Sequence, residues 1–297
     1  MSKNPLFTGS CCAIITPFDK NGATDFDALG KIIEFQIEGK TDALIACGTT
    51  GEASTMDDKE HLRVIEYIVK KVDGRIPVIA GAGSNDTRHG IELIKEAEKT
   101  GADGLLLVTP YYNKTSQRGL IKHYTAMADS VNIPIILYNV PGRTGVNIAP
   151  ETLLALSEHE NIVGMKEASG NMSQVIKMLS LCGDTIDFYS GCDDLNVPIV
   201  AMGGKGTISV LANVAPLQSH QMMKYALEGD IKKAAKMQLE AIDLIDSLFC
   251  DVNPIPVKEA MNLLGFNGGT VRLPLYEMSA ENVLRVKKSL QDYGLIK

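Results

Sequence analysis

The sequence contains no apolar run that could span a bilayer, which takes about 18 residues. Its most apolar early stretch, residues 5–18, is interrupted by Thr8-Gly9-Ser10 and by Pro17, and no small-residue cleavage site follows it. Clusters of positive charge are also missing, because 29 Lys and Arg residues are interspersed with 36 Asp and Glu residues. Nucleic-acid binding needs clustered cations. We therefore expect a cytoplasmic protein that binds neither membranes nor nucleic acids.

Metal-binding patterns are absent as well. The six cysteines include no C-x-x-C pair, and no histidine lies at zinc-ligand spacing from any of them. The five histidines fall in segments with helical periodicity and form no cluster. These features indicate reduced thiols in a cytosolic protein and argue against a metal-dependent aldolase. We therefore expect no metal and no other cofactor.

Short apolar runs alternate along the chain with stretches of helical periodicity, such as Leu29, Ile32, Ile33 and Ile37. Most of the runs lie about 30 residues apart, the usual length of a β-α-β unit. The eight candidate strands are residues 12–16, 43–47, 77–80, 104–108, 134–138, 162–166, 187–190 and 206–210. Eight evenly paced units predict an α/β fold of the (β/α)8 TIM-barrel class. A doubly wound parallel sheet is the alternative.

The strand pattern ends near residue 230. Beyond it, Leu239, Ile242, Ile245 and Phe249 lie at helical spacing. No low-complexity linker separates the two parts of the chain. We therefore predict a catalytic barrel over residues 1–230 and a helical domain over residues 231–297, packed tightly together.

One lysine is placed where a TIM barrel carries its active-site groups, at the carboxyl end of a strand. Lys166 is the only lysine that ends an apolar candidate strand. Burial there disfavours the ammonium form and favours a free amine, which is a nucleophile. The alternative interpretation is a structural lysine that extends to solvent or pairs with Glu167.

Hydroxyl groups and an arginine follow other strands at the same end. Tyr138 ends candidate strand five, Tyr112 follows strand four and Thr49-Thr50-Gly51 follows strand two. Hydroxyls could carry the proton transfers of Schiff-base chemistry, and the threonine turn offers donors to a carboxylate. Arg143, in a Pro-Gly-Arg-Thr-Gly loop, could hold a second carboxylate. Taken singly, each also fits a structural role as a core tyrosine, a plain turn or a surface arginine.

Three motifs resemble the signatures of the pyruvate-dependent class I aldolase and lyase family. They are GTTGE at residues 48–52, YNVPGRTG at 138–145 and GMKEASG at 164–170. The likeness runs from FTGS at residues 7–10 to Leu273-Pro274 and includes NPIPVK at 253–258. It implies a TIM barrel that forms a Schiff base with pyruvate.

Within the family, the chain is most similar to members that condense pyruvate with L-aspartate 4-semialdehyde. Their product, 4-hydroxy-tetrahydrodipicolinate, serves lysine and diaminopimelate biosynthesis. Lyases of N-acetylneuraminate and aldolases of 2-keto-3-deoxy-sugar acids are the alternative, but they resemble the Arg143 loop less. A non-catalytic barrel that only binds a keto acid is a further alternative. It leaves unexplained why every chemical residue is present.

The resemblance implies a role for each catalytic residue. Lys166 would form the Schiff base and Tyr138 would be the general acid and base. Thr49 would link Tyr138 to Tyr112, which would reach into the active site of a neighbouring subunit. The implied assembly is a homotetramer built as a dimer of dimers.

Four further residues are implied in substrate binding. Thr50 would hold the carboxylate of pyruvate, and Arg143 would hold that of the aldehyde. Gly191 and the backbone carbonyl of Ile208 would complete the pocket.

Family members that lysine inhibits resemble one another in a polar pocket at the dimer interface, where a glutamate accepts the amine of the ligand. Aligned without gaps, this pocket comprises Ala53, Ser54, Asp58, His61, Asn85, His89 and Tyr111. His89 occupies the glutamate position, and Asp58 occupies that of a histidine usual in those enzymes. An imidazole cannot replace a carboxylate facing an ammonium group. We therefore predict little or no inhibition by millimolar lysine at neutral pH.

Overall fold

The structure of the protein is a computed structural model that describes residues 5–297. Its eight strands are parallel and follow chain order around a closed barrel, in which β8 pairs with β1. The strands are β1 (Gly9–Ala13), β2 (Ala43–Ala46), β3 (Val78–Gly81), β4 (Gly104–Val108), β5 (Ile135–Asn139), β6 (Ile162–Glu167), β7 (Asp187–Ser190) and β8 (Gly206–Ser209). The predicted (β/α)8 barrel is confirmed.

The bounds of β1 differ from the prediction, whereas the other strands agree with it to within one residue at each end. Predicted over residues 12–16, β1 pairs with β2 and β8 over Gly9–Ala13. The apolar run continues because Ile14 and Ile15 are buried beyond the strand. There the backbone N–H of Ile15 donates to Oδ1 of Asn213 at 3.1 Å. The apolar residues at this point belong to a buried irregular segment and not to the strand. A prediction from apolarity therefore places β1 too far along the chain.

Nine helices among the described residues up to residue 230 lie between or after the strands. They are α1 (Phe26–Glu38), α2 (Asp58–Val72), α3 (Thr87–Lys99), α4 (Gln117–Ala128), α5 (Pro141–Thr144), α6 (Pro150–Ser157), α7 (Met172–Cys182), α8 (Asn196–Ala201) and α9 (Pro216–Leu227). Short polar side chains fix where they begin. Asp57 accepts from the N–H of Glu60 at the start of α2, and Asp86 accepts from that of Arg88 at the start of α3. Because α2 follows β2 and α3 follows β3 along the chain, both helices begin on the side of the barrel where the strands end.

The strand side chains alternate between two buried layers. Leu106 of β4 lies inside the barrel, whereas its neighbours Leu105 and Leu107 pack against the helices. At the amino-terminal end of the barrel, the ring of Phe7 stacks on Tyr189 with centroids 4.3 Å apart. The Tyr189 hydroxyl also donates to the carbonyl oxygen of Phe7 at 2.8 Å. The barrel is filled at this end, and its cavity lies at the opposite, carboxyl-terminal end.

The chain after residue 230 is helical, with α10 (Ile231–Glu240), α11 (Ile242–Ser247), α12 (Ile255–Leu263) and α13 (Ala280–Asp292). Helix α10 packs on α9, and α11 packs on the turn Asp193–Leu195. Buried residues on both sides of residue 230, such as Met223 and Leu244, belong to one core. The predicted domain boundary therefore stays a prediction. Among the helices of residues 5–297, none combines the length and apolar character that crossing a membrane requires.

Candidate active site

A cavity of about 280 Å³ lies at the carboxyl-terminal mouth of the barrel. Most of the residues predicted to react with or bind substrate line it. They are Thr49, Thr50, Tyr138, Arg143, Lys166 and Gly191. The structure therefore brings six of the eight predicted residues to one site.

Lys166 lies on β6 and pairs in register with Tyr138 of β5 and Tyr189 of β7. It is 6% exposed, and its Nζ lies 4.3 Å from the centroid of the Tyr138 ring. Within residues 5–297, no carboxylate forms an ion pair with this amine. Glu167 points to the other face of the strand, where it accepts from Asn139 Nδ2 at 3.0 Å and from the N–H of Ser169 at 2.6 Å. The alternative in which Lys166 pairs with Glu167 is therefore wrong.

A second lysine, Lys258 of α12, is also buried but has a different environment. Its Nζ donates to Oε1 of Glu52 at 2.7 Å and to the carbonyl oxygen of Thr16 at 2.9 Å. Burial lowers the pKa of Lys258 to about 8, although the charge of Glu52 acts in the opposite direction. Because its amine is held by acceptors and Lys258 does not line the cavity, this lysine is structural. Lys166 remains the lysine with access to a substrate.

The loop after β7 leaves room for the Lys166 side chain. A Cβ atom at Gly191 would lie 3.0 Å from Cε of Lys166 and 2.8 Å from Cβ of Ala168. The next residue, Cys192, also lines the cavity. Burial raises the pKa of its thiol to about 11. The thiol is therefore protonated at neutral pH and does not compete with the amine as a nucleophile.

The threonine turn after β2 is held in place by the C-terminal helical part. Thr50 is buried, and its Oγ1 accepts from Nδ2 of Asn253 at 3.1 Å. Arg143 of α5 also reaches this residue, because its Nη2 donates to the backbone carbonyl of Asn253 at 3.1 Å. Asn253 lines the cavity. Sequence reasoning placed it in a family motif but gave it no place in the site, because its partners lie 110 and 203 residues away.

Three acidic residues, Asp193, Asp194 and Asp246, also line the cavity. Asp193 is buried, and its Oδ2 accepts from the N–H groups of Val210 and Leu211 at 2.9 Å each. Asp193 is the first residue of the 3-10 turn Asp193–Leu195. Through these two bonds it also caps the 3-10 turn Leu211–Asn213, which lies later in the sequence. Burial, followed by the charges of Asp193 and Asp246, raises the pKa of Asp194. Asp193 and Asp194 therefore line the same cavity as Arg143 and Lys166.

Two predicted site residues do not line this cavity. Tyr112 lies in the loop between β4 and α4, is 92% exposed and has a left-handed backbone conformation with φ of 68°. Ile208 of β8 is buried inside the barrel with Tyr138 and Tyr189, and Val210 lines the cavity in its place. The roles implied for Tyr112 and Ile208 stay predictions.

A second cavity, of about 480 Å³, adjoins the first and shares Thr49, Tyr138 and Arg143 with it. Six of the seven residues aligned with the lysine pocket line it. They are Ala53, Ser54, Asp58, His61, His89 and Tyr111. Asn85 lies outside, and its Nδ2 donates to the backbone carbonyl of Tyr111 at 3.1 Å. Burial lowers the pKa of His61, whose Nε2 lies 2.7 Å from the carbonyl oxygen of Gly81. A regulatory role for this cavity stays a prediction.

Within residues 5–297, no group of three or more His, Cys, Asp or Glu side chains could hold a metal ion. The functional groups that line the active-site cavity are an amine, hydroxyl groups, a thiol, carboxylates, a side-chain amide and a guanidinium group.

Known proteins match this chain over nearly its whole length. A family model described as the dihydrodipicolinate synthetase family matches residues 6–293. The 4-hydroxy-tetrahydrodipicolinate synthase of Caldicellulosiruptor saccharolyticus is 55% identical over 291 residues, which are 98% of each chain. The dihydrodipicolinate synthase structure from Aquifex aeolicus is 46% identical, with a TM-score of 0.95 over 97% of this chain and 99% of that one.

A further solved relative carries a ligand. The dihydrodipicolinate synthase of Acinetobacter baumannii, solved in complex with pyruvate, is 42% identical, with a TM-score of 0.95 over 97% of this chain and 99% of that one. The match of sequence and of fold extends over both the barrel and the C-terminal helices. The chain belongs to the dihydrodipicolinate synthetase family.

Proposed function

We propose that the chain condenses pyruvate with L-aspartate 4-semialdehyde to give 4-hydroxy-tetrahydrodipicolinate, a step of lysine and diaminopimelate biosynthesis. Relatives that are 53–55% identical over nearly the whole chain are named for this activity. The lyases of N-acetylneuraminate and of keto-deoxy-sugar acids are not favoured. The observation that carries the chemistry is the buried Lys166 amine, which lies over Tyr138 without a carboxylate partner.

The reaction begins with attack of the neutral Lys166 amine on the keto carbon of pyruvate. The former carbonyl oxygen takes up a proton, and the nitrogen loses one, so that a carbinolamine forms. A second proton to this hydroxyl lets it leave as water, and the nitrogen and carbon are then joined as a protonated imine. Tyr138, beside Lys166, supplies and recovers these protons as general acid and base.

Carbon–carbon bond formation depends on the protonated imine, which withdraws electrons and so makes the adjacent methyl group of pyruvate easier to deprotonate. Loss of a proton from the pyruvate methyl group gives an enamine, whose terminal carbon attacks the aldehyde carbon of the second substrate. The aldehyde oxygen becomes a hydroxyl by taking up a proton. Because the product is cyclic, the amino group of the aspartate semialdehyde must then attack the imine carbon and displace Lys166. This step frees the enzyme amine for the next cycle.

Two carboxylates have to be held during these steps. We assign the pyruvate carboxylate to Thr50 and the adjoining backbone N–H groups of the turn, and the aldehyde carboxylate to Arg143. Arg143 is exposed and lines both cavities, so it can meet a ligand that enters from solvent. A guanidinium group favours an acidic aldehyde over a neutral sugar. Gly191 and the carbonyl of Ile208 complete the proposed pocket.

We further propose that the chain works in the cytoplasm as a homotetramer, a dimer of dimers, with Tyr112 acting in the site of a neighbouring subunit. The support for this role is the exposure of Tyr112 and its left-handed backbone, which is uncommon for a bulky residue. Thr49, at the boundary of the two cavities, would pass protons between Tyr138 and this tyrosine.

Trapping with borohydride tests the proposed function. Incubation with pyruvate and borohydride should add a reduced pyruvyl group to the peptide that carries Lys166, as read by mass spectrometry. Lys166→Ala should lose both the adduct and the condensation of pyruvate with L-aspartate 4-semialdehyde. An adduct on Lys205 or Lys258 would contradict the assignment of the nucleophile.

A further inference from the structure

One wall of the active-site cavity comes from the C-terminal helical part of the chain. Asn253 lies between α11 and α12 and is 6% exposed. Its Nδ2 donates to Oγ1 of Thr50, and its backbone carbonyl accepts from Nη2 of Arg143, each at 3.1 Å. A single residue thus contacts both groups that we assign to the two substrate carboxylates.

A buried ion pair fixes Asn253 relative to the threonine turn. Lys258 lies on α12, five residues after Asn253, and Glu52 lies two residues after Thr50. Nζ of Lys258 donates to Oε1 of Glu52 at 2.7 Å. The Lys258 and Glu52 side chains are 2% and 1% exposed. Two polar contacts therefore connect the same two segments, residues 50–52 and 253–258. Buried charge-assisted bonds have narrow geometry, so the ion pair holds the amide of Asn253 against the Thr50 hydroxyl.

The direction of the Asn253–Thr50 bond matters for a bound carboxylate. A threonine hydroxyl has one proton to donate and two lone pairs that accept. When Nδ2 of Asn253 donates to Oγ1, the amide occupies a lone pair and leaves the hydroxyl proton free for another acceptor. A ligand carboxylate in the cavity can serve as that acceptor. Without the amide, the hydroxyl can turn toward a backbone carbonyl and stop donating to the ligand.

The Asn253 amide is also only half satisfied by protein groups. Its Oδ1 is buried, and no partner lies within hydrogen-bond distance among residues 5–297. A buried polar group without a partner is destabilising, so an asparagine is a poor choice for packing alone. Its presence at the wall of the cavity favours a role in the site.

We propose that Asn253 is a positioning residue that orients the Thr50 hydroxyl toward the carboxylate of pyruvate. This inference rests on the proposed function, because it takes pyruvate as the ligand of the turn. The backbone carbonyl of Asn253 accepts from Nη2 of Arg143. This contact leaves the other guanidinium nitrogens of Arg143 to donate to the second substrate. Replacing the Asn253 side chain should therefore weaken the binding of pyruvate and change the binding of the aldehyde much less.

The test measures Schiff-base formation alone, as the fraction of enzyme trapped by borohydride against pyruvate concentration. In Asn253→Ala, the half-saturating pyruvate concentration should rise about three- to tenfold, the value of one lost hydrogen bond. The maximal trapped fraction should be unchanged. In Asn253→Asp, which keeps the shape of the side chain, the rise should be larger because the new carboxylate repels that of pyruvate.

A double-mutant cycle separates positioning from general destabilisation. If Asn253 acts through the Thr50 hydroxyl, then Asn253→Ala should add little to the loss caused by Thr50→Val. Independent, additive losses would overturn the proposal, and so would unchanged half-saturation in a folded Asn253→Asp variant.

Asn161 provides a matched control. Its Nδ2 donates to the carbonyls of Ala128 and Val131 at the opposite end of the barrel, so Asn161→Ala should lower the melting temperature without changing half-saturation by pyruvate. Failure of the wild type to trap pyruvate at all would instead contradict the proposed function.

Discussion

Nε2 of His89 lies 3.0 Å from Oδ2 of Asp58 on the wall of the second cavity. The other ring nitrogen, Nδ1, lies 3.0 Å from Oγ of Ser84. Both ring nitrogens are therefore engaged. Asp58 is the one acidic residue among the described residues that line this cavity, and it already faces an imidazole. Relative to the pattern implied for lysine-inhibited members of the family, the acid and the histidine have exchanged positions.

This exchange predicts weak or absent inhibition by lysine. An incoming amine would have to displace His89 from Asp58, or lie beside an imidazole that offers at best one acceptor. Millimolar lysine should leave the condensation rate at neutral pH nearly unchanged. The double variant Asp58→His with His89→Glu restores the order of charges and should gain inhibition. Cooperative inhibition of the wild type below about a millimolar, roughly 4 kcal/mol of binding, would show the prediction to be wrong.

The Lys258–Glu52 pair predicts a large effect on stability. Lys258→Met removes one partner and leaves the Glu52 carboxylate buried without its cation, which costs about 3–5 kcal/mol. The free energy of unfolding, measured with urea, should fall by this amount. Adding Glu52→Gln should recover part of the loss, because the uncompensated charge is gone. Equal stability of the single and double variants would contradict a charge-based explanation.

The barrel strands and the reactive residues at their ends could be predicted from the sequence. Lys166 and Tyr138 each end an apolar run, and closure of the barrel places the ends of its strands around one mouth. Their proximity thus follows from topology. The offset of β1 was not predictable from apolarity, because Ile14 and Ile15 are as buried as the strand itself.

Contacts between distant segments could not be predicted. Asn253 meets Thr50 across 203 residues, and Lys258 meets Glu52 across 206. Nothing in the local sequence indicates these partners. Every buried polar residue needs a hydrogen-bond partner, and the chain contains many residues that could serve as one. The place of Tyr112 is a different case. In a single chain, a loop residue that acts in a neighbouring subunit would show only an exposed side chain.

Asp187, at the start of β7, predicts a pH-dependent stability. It is 6% exposed, and its Oδ2 has no hydrogen-bond partner among the described residues. Burial raises its pKa to about 6, although the charge of Lys205 lowers it. The folded state therefore binds a proton more tightly than the unfolded chain, whose Asp pKa is about 3.9. Stability from this group is full below about pH 4 and is lost as the pH rises through 6.

The neutral variant Asp187→Asn should remove this loss. Its melting temperature should exceed that of the wild type by a few degrees at pH 7, and the difference should vanish near pH 4. Asp184→Asn, on the exposed segment before the same strand, removes one charge without removing a buried carboxylate. It should show no comparable difference between the two pH values. A constant gain for Asp187→Asn at all pH values would point to packing instead.

The role proposed for Arg143 predicts that its replacement affects the use of one substrate and not of the other. Removing its guanidinium in Arg143→Ala should reduce kcat/KM for L-aspartate 4-semialdehyde by the equivalent of about 2–5 kcal/mol. Borohydride trapping of pyruvate should change little. Arg143→Lys keeps the charge but not the fork of donors, so it should recover only part of the activity. Equal losses in both steps would make Arg143 a structural residue held by Asn253.

Tyr112 predicts that active sites are shared between subunits. Its side chain does not line the cavity of its own chain, so the role proposed for it requires that it act in the site of a neighbouring subunit. Tyr112→Phe and Lys166→Ala should each be inactive or nearly so alone. In mixed oligomers, a Tyr112→Phe subunit keeps its lysine and receives the tyrosine of its partner. Mixing the two variants should therefore restore part of the activity.

The control for this mixing experiment replaces Tyr112→Phe with Tyr138→Phe. Tyr138 and Lys166 line the same cavity of one chain, with the Lys166 amine 4.3 Å from the tyrosine ring. No hybrid of Tyr138→Phe and Lys166→Ala contains both groups in one site, so these mixtures should stay inactive. Hybrid assembly is verified by native mass spectrometry of subunits with distinct tags. If Tyr112→Phe and Lys166→Ala hybrids form but regain no activity, Tyr112 does not act across the subunit boundary.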